Sequence, residues 1–326
     1  MAKLDKLMAL SVVSETTQGT AVGPAATDFI PLIEKPTVKP IVEITQRHNF
    51  REALGKLPFS TGWSYSDVSF KVEWLGASAT NTAYAPIDTL FKACGMTVTG
   101  GTGGTDWTYA LSSTNISNHL GPATACTINY FVDGLKHIVQ GFVGSPKVIG
   151  EAGQTPIIEF TGKGLYTAVT DTAIPTTTFT HNTTIPKMKS ASLGWDGTTT
   201  AYVQKIEFDF GNKIEFVPDV SSTNGLAGFR IVDRDIKATI NPEMGTVAAY
   251  DWWAKYVAGT TMIASSVGVG AIFGNGARNF ATIVAIRTQI LDAKYGTRNG
   301  IVTLEVDLQC NDNTENDALS IVVDNA

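Results

Sequence analysis

The chain has 326 residues, 43% hydrophobic and 17% charged, which is enough apolar material for a sizeable core and too much for wholesale disorder. Its formal charge is −6. Residues 1–165 hold 12 basic and 13 acidic side chains and residues 166–326 hold 12 and 17, so no basic stripe exists to grip phosphates and tight DNA binding is not expected.

In chain order, Met1–Ser14 has only a short apolar stretch and lacks a cleavage site. No run approaches the roughly eighteen apolar residues of a membrane span, so neither a signal peptide nor a membrane contact is expected. Ile41–Thr45 reads as extended, followed by an irregular stretch to Tyr65. Val68, Phe70, Val72 and Trp74 then alternate with Ser69, Lys71 and Glu73, the period-two signature of a half-buried strand. Pro86 opens a predicted helix with Ile87, Leu90, Phe91 and Cys94 on one face and Gly95 placed to cap it. Gly100–Gly104 lacks the Lys-Ser/Thr of a phosphate cradle and reads as a hairpin tip. Strands Cys126–Val132, Ile138–Val143 and Pro156–Thr161 follow, the first two joined by Asp133-Gly134.

The stretch from Thr167 to Ser190, rich in Thr and Pro, reads as an extended linker. It divides the chain into domains 1–166 and 191–326 around a linker at 167–190. Beyond it, Ile206, Phe208 and Phe210 alternate with Glu207 and Asp209, an irregular stretch runs over 211–233, and strand Ile236–Ile240 leads to a predicted helix over Val247–Ala258. Strands Phe280–Ile286, Thr288–Leu291 and Ile301–Leu308 complete this half, with Asn299-Gly300 as a hairpin turn. The order of elements recurs at a period of roughly 145–170 residues, too long for a solenoid and suited to a domain duplication. The expected fold class is mainly β: two tandem β-sandwich or barrel-like domains, each with one short flanking α-helix.

Chemistry-bearing constellations are missing from the sequence. His48, His119, His137 and His181 lie far apart without metal-ligand spacing. Cys94, Cys126 and Cys310 are odd in number and read as small apolar residues. Asp312, Glu315 and Asp317 lack the glycine and terminal glutamate of a calcium loop. Neither a nucleophile elbow nor a Cys–His signature occurs. No catalytic, metal or cofactor site is expected, and the chain reads as a non-enzyme; carboxylates brought together only in three dimensions stay open.

Several motifs carry a resemblance: Ser14-Glu15-Thr16-Thr17-Gln18-Gly19-Thr20, Pro86 to Gly95, Tyr130 to His137, Ile158 to Gly162 before Leu165-Tyr166, Asp233-Arg234-Asp235, and Tyr295-Gly296 before Gly300-Ile301. Taken in order, they resemble the tandem-domain form of the major tail tube proteins of long-tailed bacteriophages and prophages. The resemblance implies duplicated β-sandwiches of the tail tube type. It also implies self-association into rings, trimeric with pseudo-sixfold symmetry, stacked into the hollow conduit for DNA ejection. Implied partners are the tail tip, tape measure and terminator proteins and, transiently, passing DNA; the implied location is the virion tail, assembled in the host bacterial cytoplasm. Within that frame Glu207, Asp209, Glu305 and Asp307 are lumen candidates, with outer solvent as the alternative. Phe50, Leu54, Leu57, Phe59, Ile214, Phe216, Val217 and Leu226, on the two irregular stretches, are ring-stacking candidates, with self-packed surface loops as the alternative. Competing functional readings are a tail terminator, a capsid decoration protein, and a carbohydrate-binding adhesin that would display Trp63, Trp74, Trp107 or Trp195 on an exposed platform.

Overall fold

The computed structural model describes residues 4, 6–47, 55–77, 84–100, 106–114, 124–181, 185–189, 193–194, 202–263, 269–273 and 281–323. The first half contributes β1 (Met8–Ser14), β2 (Phe29–Ile30), β3 (Thr37–Thr45), β4 (Ser60–Glu73), α1 (Ala85–Ala93), β5 (Met96–Gly100), β6 (Trp107–Leu111), β7 (Cys126–Val132), β8 (Leu135–Glu151) and β9 (Ile157–Tyr166). Two short strands follow, β10 (Thr170–Asp171) and β11 (Leu193–Gly194). The second half contributes β12 (Val203–Asp209), β13 (Asn212–Pro218), β14 (Leu226–Arg234), β15 (Lys237–Pro242), α2 (Trp252–Ala258), β16 (Met262–Ile263), β17 (Val269–Phe273), β18 (Ala281–Ala285), β19 (Arg287–Arg298), β20 (Ile301–Asn311) and β21 (Ser320–Val323). The fold is mainly β and antiparallel.

One 13-stranded sheet dominates. One continuous run in it is β19-β20-β15-β12-β8-β9-β4-β3, within which the sub-order β3-β4-β9-β8 of the first half reappears as β12-β15-β20-β19 in the second. The two sets join where β12 pairs with the end of β8, from Lys205 opposite Glu151 to Asp209 opposite Lys147. A 6-stranded sheet, β11-β17-β18-β21-β6-β5, also crosses between halves, because C-terminal β21 pairs with β6. The halves are therefore joined by two hydrogen-bonded ladders as well as by the chain.

Alternation explains which way each strand faces. In β4, Ser66, Val68, Phe70 and Val72 are buried while Ser69, Lys71 and Glu73 lie on the opposite, more open face; in β20, Leu304, Val306 and Leu308 are buried between Glu305 and Asp307. Core residues from both sheets and both halves form one cluster, from Leu10 to Ile321. Helix α1 fills it: Phe91 packs against Phe160 of the large sheet at 5.9 Å and Tyr109 of the small one at 5.0 Å. Each such fully buried side chain contributes about 1.5–3 kcal/mol.

Turn chemistry follows the sequence. Asp133 and Gly134, and Asn299 and Gly300, all have positive φ, as a two-residue turn matched to strand twist demands. A third dipeptide of the same kind in the sequence, Asp196-Gly197, lies outside the described residues. Helix α2 begins at Trp252, later than the expected Val247, because the Asp251 carboxylate accepts the Ala254 N–H at 2.9 Å and sets the N-terminus there. The expected irregular stretches are also corrected. β4 starts at Ser60, and residues 211–233 form mainly the hairpin β13–β14, whose turn is held by Asp219 accepting both the N–H and the hydroxyl of Ser221.

The Thr/Pro-rich stretch is extended and tied down along its described length. β10 pairs with the start of β8, the Thr178 N–H donates to Ala26 O at 2.8 Å, and the Met188 N–H donates to Gln154 O at 2.9 Å.

Candidate assembly surface

The outward face of the large sheet is polar and laced with charge. One row across neighbouring strands reads Lys71, Glu159, Lys147, Asp209, Lys237; the next reads Glu207, Thr239, Asp307, Asp292. Cross-strand neighbours on one face sit about 5 Å apart, so opposite signs within a row support the sheet while the carboxylates of the second row concentrate negative charge. Glu207, Asp209, Glu305 and Asp307 all lie on this face, alternating with buried Phe208, Leu304, Val306 and Leu308.

Their surroundings differ. Glu207 is bridged by Lys147 Nζ at 2.8 Å and by Lys205. Partial burial opposes its ionisation, but the two ammonium groups prevail and hold its carboxyl below the usual range. Asp209 Oδ1 accepts the Gly211 N–H at 2.9 Å, Asp307 Oδ1 accepts the Thr239 hydroxyl at 2.8 Å, and Glu305 pairs with Lys294 at 3.2 Å. The sheet therefore gathers the four carboxylates on one surface, each with a local partner.

The ring-stacking candidates divide. Phe50 and Leu54 lie outside the described residues. Phe59 is exposed just before β4 and Leu57 is half-buried. Leu226 is buried with Val143, Leu165, Phe229 and Ile231 in a second apolar cluster, and Ile214 and Phe216 pack against it; Phe216 meets Trp63 at 4.7 Å. Val217, beside them, is half-buried. Hairpin β13–β14 thus leans on β8 and β9 of the other half.

A polar node locks the same seam; its Arg234 lies in a motif of the sequence, but nothing in the sequence linked it to Asn212 or to the end of α1. Asn212 Nδ2 donates to Cys94 O and Gly144 O, both at 2.9 Å, while Arg234 donates through Nη2 to Gly95 O at 2.7 Å and through Nε to Asn212 Oδ1 at 3.1 Å. The carbonyls just past the C-terminal end of α1, where the helix dipole is negative, are so met by a cation from the second half. Within the first half, close backbone approach marks the β8–β9 ladder beside this node: a Cβ on Gly162 would lie 2.3 Å from Val143 O and 2.7 Å from Gly144 Cα.

The remaining reactive side chains are engaged in packing. Cys94, Cys126 and Cys310 are free and buried, and burial pushes their thiols well up, away from the thiolate form. His181 sits edge-on to Tyr84, and His137 lies beside Tyr130, where burial lowers the His137 pKa; His48 and His119 lie outside the described residues. In the acidic loop, Asp317 accepts the N–H groups of Asn313 and Thr314, and Asp312 accepts those of Asp317 and Ala318. Among the described residues no group of three or more His, Cys, Asp or Glu is arranged to hold a metal, and no helix is long and apolar enough to cross a membrane. Trp74 is buried and Trp63 is packed on Phe216, so neither stands on an exposed platform; Trp195 lies outside the described residues. Comparison with known protein families and with curated proteins finds no match to this chain.

Proposed function

We propose that this protein is a structural subunit that assembles through its sheet edges into rings, and that the rings stack into a tube of the phage tail type. One observation carries the reading. A four-strand set occurs twice in a single sheet, joined head to tail at β8 and β12, and among the described residues β3 pairs only with β4 while the far end of β19 pairs only with β20. A head-to-tail contact that is satisfied inside the chain and repeated at its ends is heterologous, and such contacts propagate until they close a ring. Closure would also remove the open edges, which otherwise invite promiscuous strand pairing. On this reading the two sets are tandem tube-type domains, and three chains would give a pseudo-sixfold ring.

The polar face of the large sheet would line the conduit, with Glu207, Asp209, Glu305 and Asp307 towards the lumen, where net negative charge keeps DNA from adhering. Leu57 and Phe59 would contribute to contacts with the next ring. The chain would work in the virion tail beside tip, tape measure and terminator proteins, without catalysis or a cofactor.

Negative-stain electron microscopy of the concentrated protein tests this reading. Rings with a central hole, stacked into tubes, are the expected result; closed single rings that never stack would favour a terminator or decoration role instead.

A further inference from the structure

The junction inside the chain reaches beyond its ladder. Past Glu151 the β8–β9 turn runs on between the start of β12 and a segment of the Thr/Pro-rich linker. Ala152 N–H donates to Gln204 O at 2.8 Å, and Gly153 N–H donates to Met188 O at 2.9 Å. Met188 N–H returns to Gln154 O at 2.9 Å. The turn is gripped on one side by the start of β12 and on the other by the Met188 segment.

The repeated strand order makes β19 the counterpart of β8 and the edge beside β4 the counterpart of β12. That edge begins before β3, since Ile33 N–H donates to Lys71 O at 3.2 Å, as β12 runs along β15. Among the described residues nothing fills the second gripping position here. A groove of about 630 Å³ lies between the Lys6–Leu10 segment and the Ile30–Lys35 segment, with Ile174, Thr177 and Phe179 on a third side. Its walls expose apolar side chains: Leu7 at 48%, Ile33 at 44% and Phe179 at 48%. The element that would match it is equally bare, with Tyr295 at 64% and Ile301 at 50% exposed around the β19–β20 turn.

We propose that this groove is the slot for the β19–β20 turn of a second copy of the chain, held between Leu7 and Ile33 as the β8–β9 turn is held between Met188 and Gln204. The inference rests on the ring reading above and names its contact. The chain's own turn is remote along the sheet: seven strand spacings of roughly 4.8 Å put about 34 Å of sheet between β19 and β3. Filling the slot would cover Leu7, Ile33, Phe179, Tyr295 and Ile301 together, apolar surface that favours association when removed from water.

The test places a photo-crosslinking phenylalanine analogue at position 33 of the full chain and maps its products by mass spectrometry in the assembled state. Cross-links to residues 292–302 of another copy are expected. In parallel Ile33→Asp, a change at an exposed side chain, should leave the circular dichroism spectrum of the monomer unchanged and abolish rings. Rings that form normally with Ile33→Asp, or whose cross-links fall elsewhere, overturn the slot and leave the ring reading standing. Wild-type protein that stays monomeric and uncrosslinked at every concentration overturns both.

Discussion

Glu15 is a carboxylate at 4% exposure, and the loop it belongs to is built around it. Its Oε2 accepts the Gly19 N–H at 2.7 Å; its Oε1 accepts the Thr127 hydroxyl at 2.6 Å and the Gly141 N–H at 2.8 Å. Burial raises its pKa and outweighs the three donors, which pull it down. A folded-state pKa above the unfolded value means that this group's contribution is fully present below the unfolded carboxylate pKa and is lost as pH rises through the folded value. Glu207, Asp219 and Asp317 have depressed values and contribute in the opposite sense, losing stability as pH falls through their folded pKa values, so the whole-protein profile mixes signs. The difference between wild type and Glu15→Gln isolates Glu15. In urea unfolding from pH 4 to 7.5, the stability of wild type minus that of the variant should decline as pH rises; a difference that stays level or climbs would contradict the assignment. The sequence displayed Glu15 inside a motif but not its burial, because its donors come from positions 19, 127 and 141. Arg234 is similar: the carbonyl groups it satisfies belong to Gly95 and Ser112, more than a hundred residues away.

At the scale of elements, periodicity was a good guide wherever one strand face meets the common core, as in β4, β12 and β20. It failed for β13 and β14, where Ile214, Phe216 and Val217 are consecutive or nearly so and their partners come from the other half: Trp63 beside Phe216, and Tyr65 beside Phe229 at 5.8 Å. A hairpin whose covering surface comes from β4, β8 and β9, all far off along the chain, gives no local pattern to read. The first-half hairpin β3–β4 offers the contrast, since Val42 and Ile44 at its end are exposed while Ile214 and Phe216 of β13 are half-buried. Hairpin β13–β14 is therefore held by tertiary packing more than by its own ladder, as expected for an isolated two-stranded ribbon. Phe229, fully buried at its centre, is the test. Phe229→Ala should cost about 3–5 kcal/mol in denaturant unfolding. Hydrogen exchange should accelerate first across Asn212–Arg234 while the paired residues of β8 and β9 stay protected; a uniform acceleration through β8 and β9 would instead make the hairpin part of a single cooperative unit.

For the whole molecule the question is which environment the polar face of the large sheet meets. Sequence alone identified Glu207, Asp209, Glu305 and Asp307 as polar alternates, but not their ordering into rows, which depends on the register of β12, β15, β20 and β19. Those rows decide the electrostatics. Asp307 lies between Thr239 and Asp292, and Glu305 is opposite Lys294, so reversing both carboxylates turns a locally acidic surface basic without touching the buried Leu304, Val306 or Leu308. Replacing Glu305 and Asp307 with Lys adds about four positive charges per chain, repeated in every ring, and phosphates would be neutralised along the length of any tube. If this face lines the conduit, the doubly substituted protein should still assemble, because both positions lie outside the core and on β20, not on the edge strand β19 itself. Its tubes should co-sediment duplex DNA at low ionic strength and release it as salt rises, while wild-type tubes sediment without DNA. Short fragments able to enter a tube should be retained and protected from nuclease; fragments retained yet fully digestible would place the substituted face on the outside, and with it the four carboxylates.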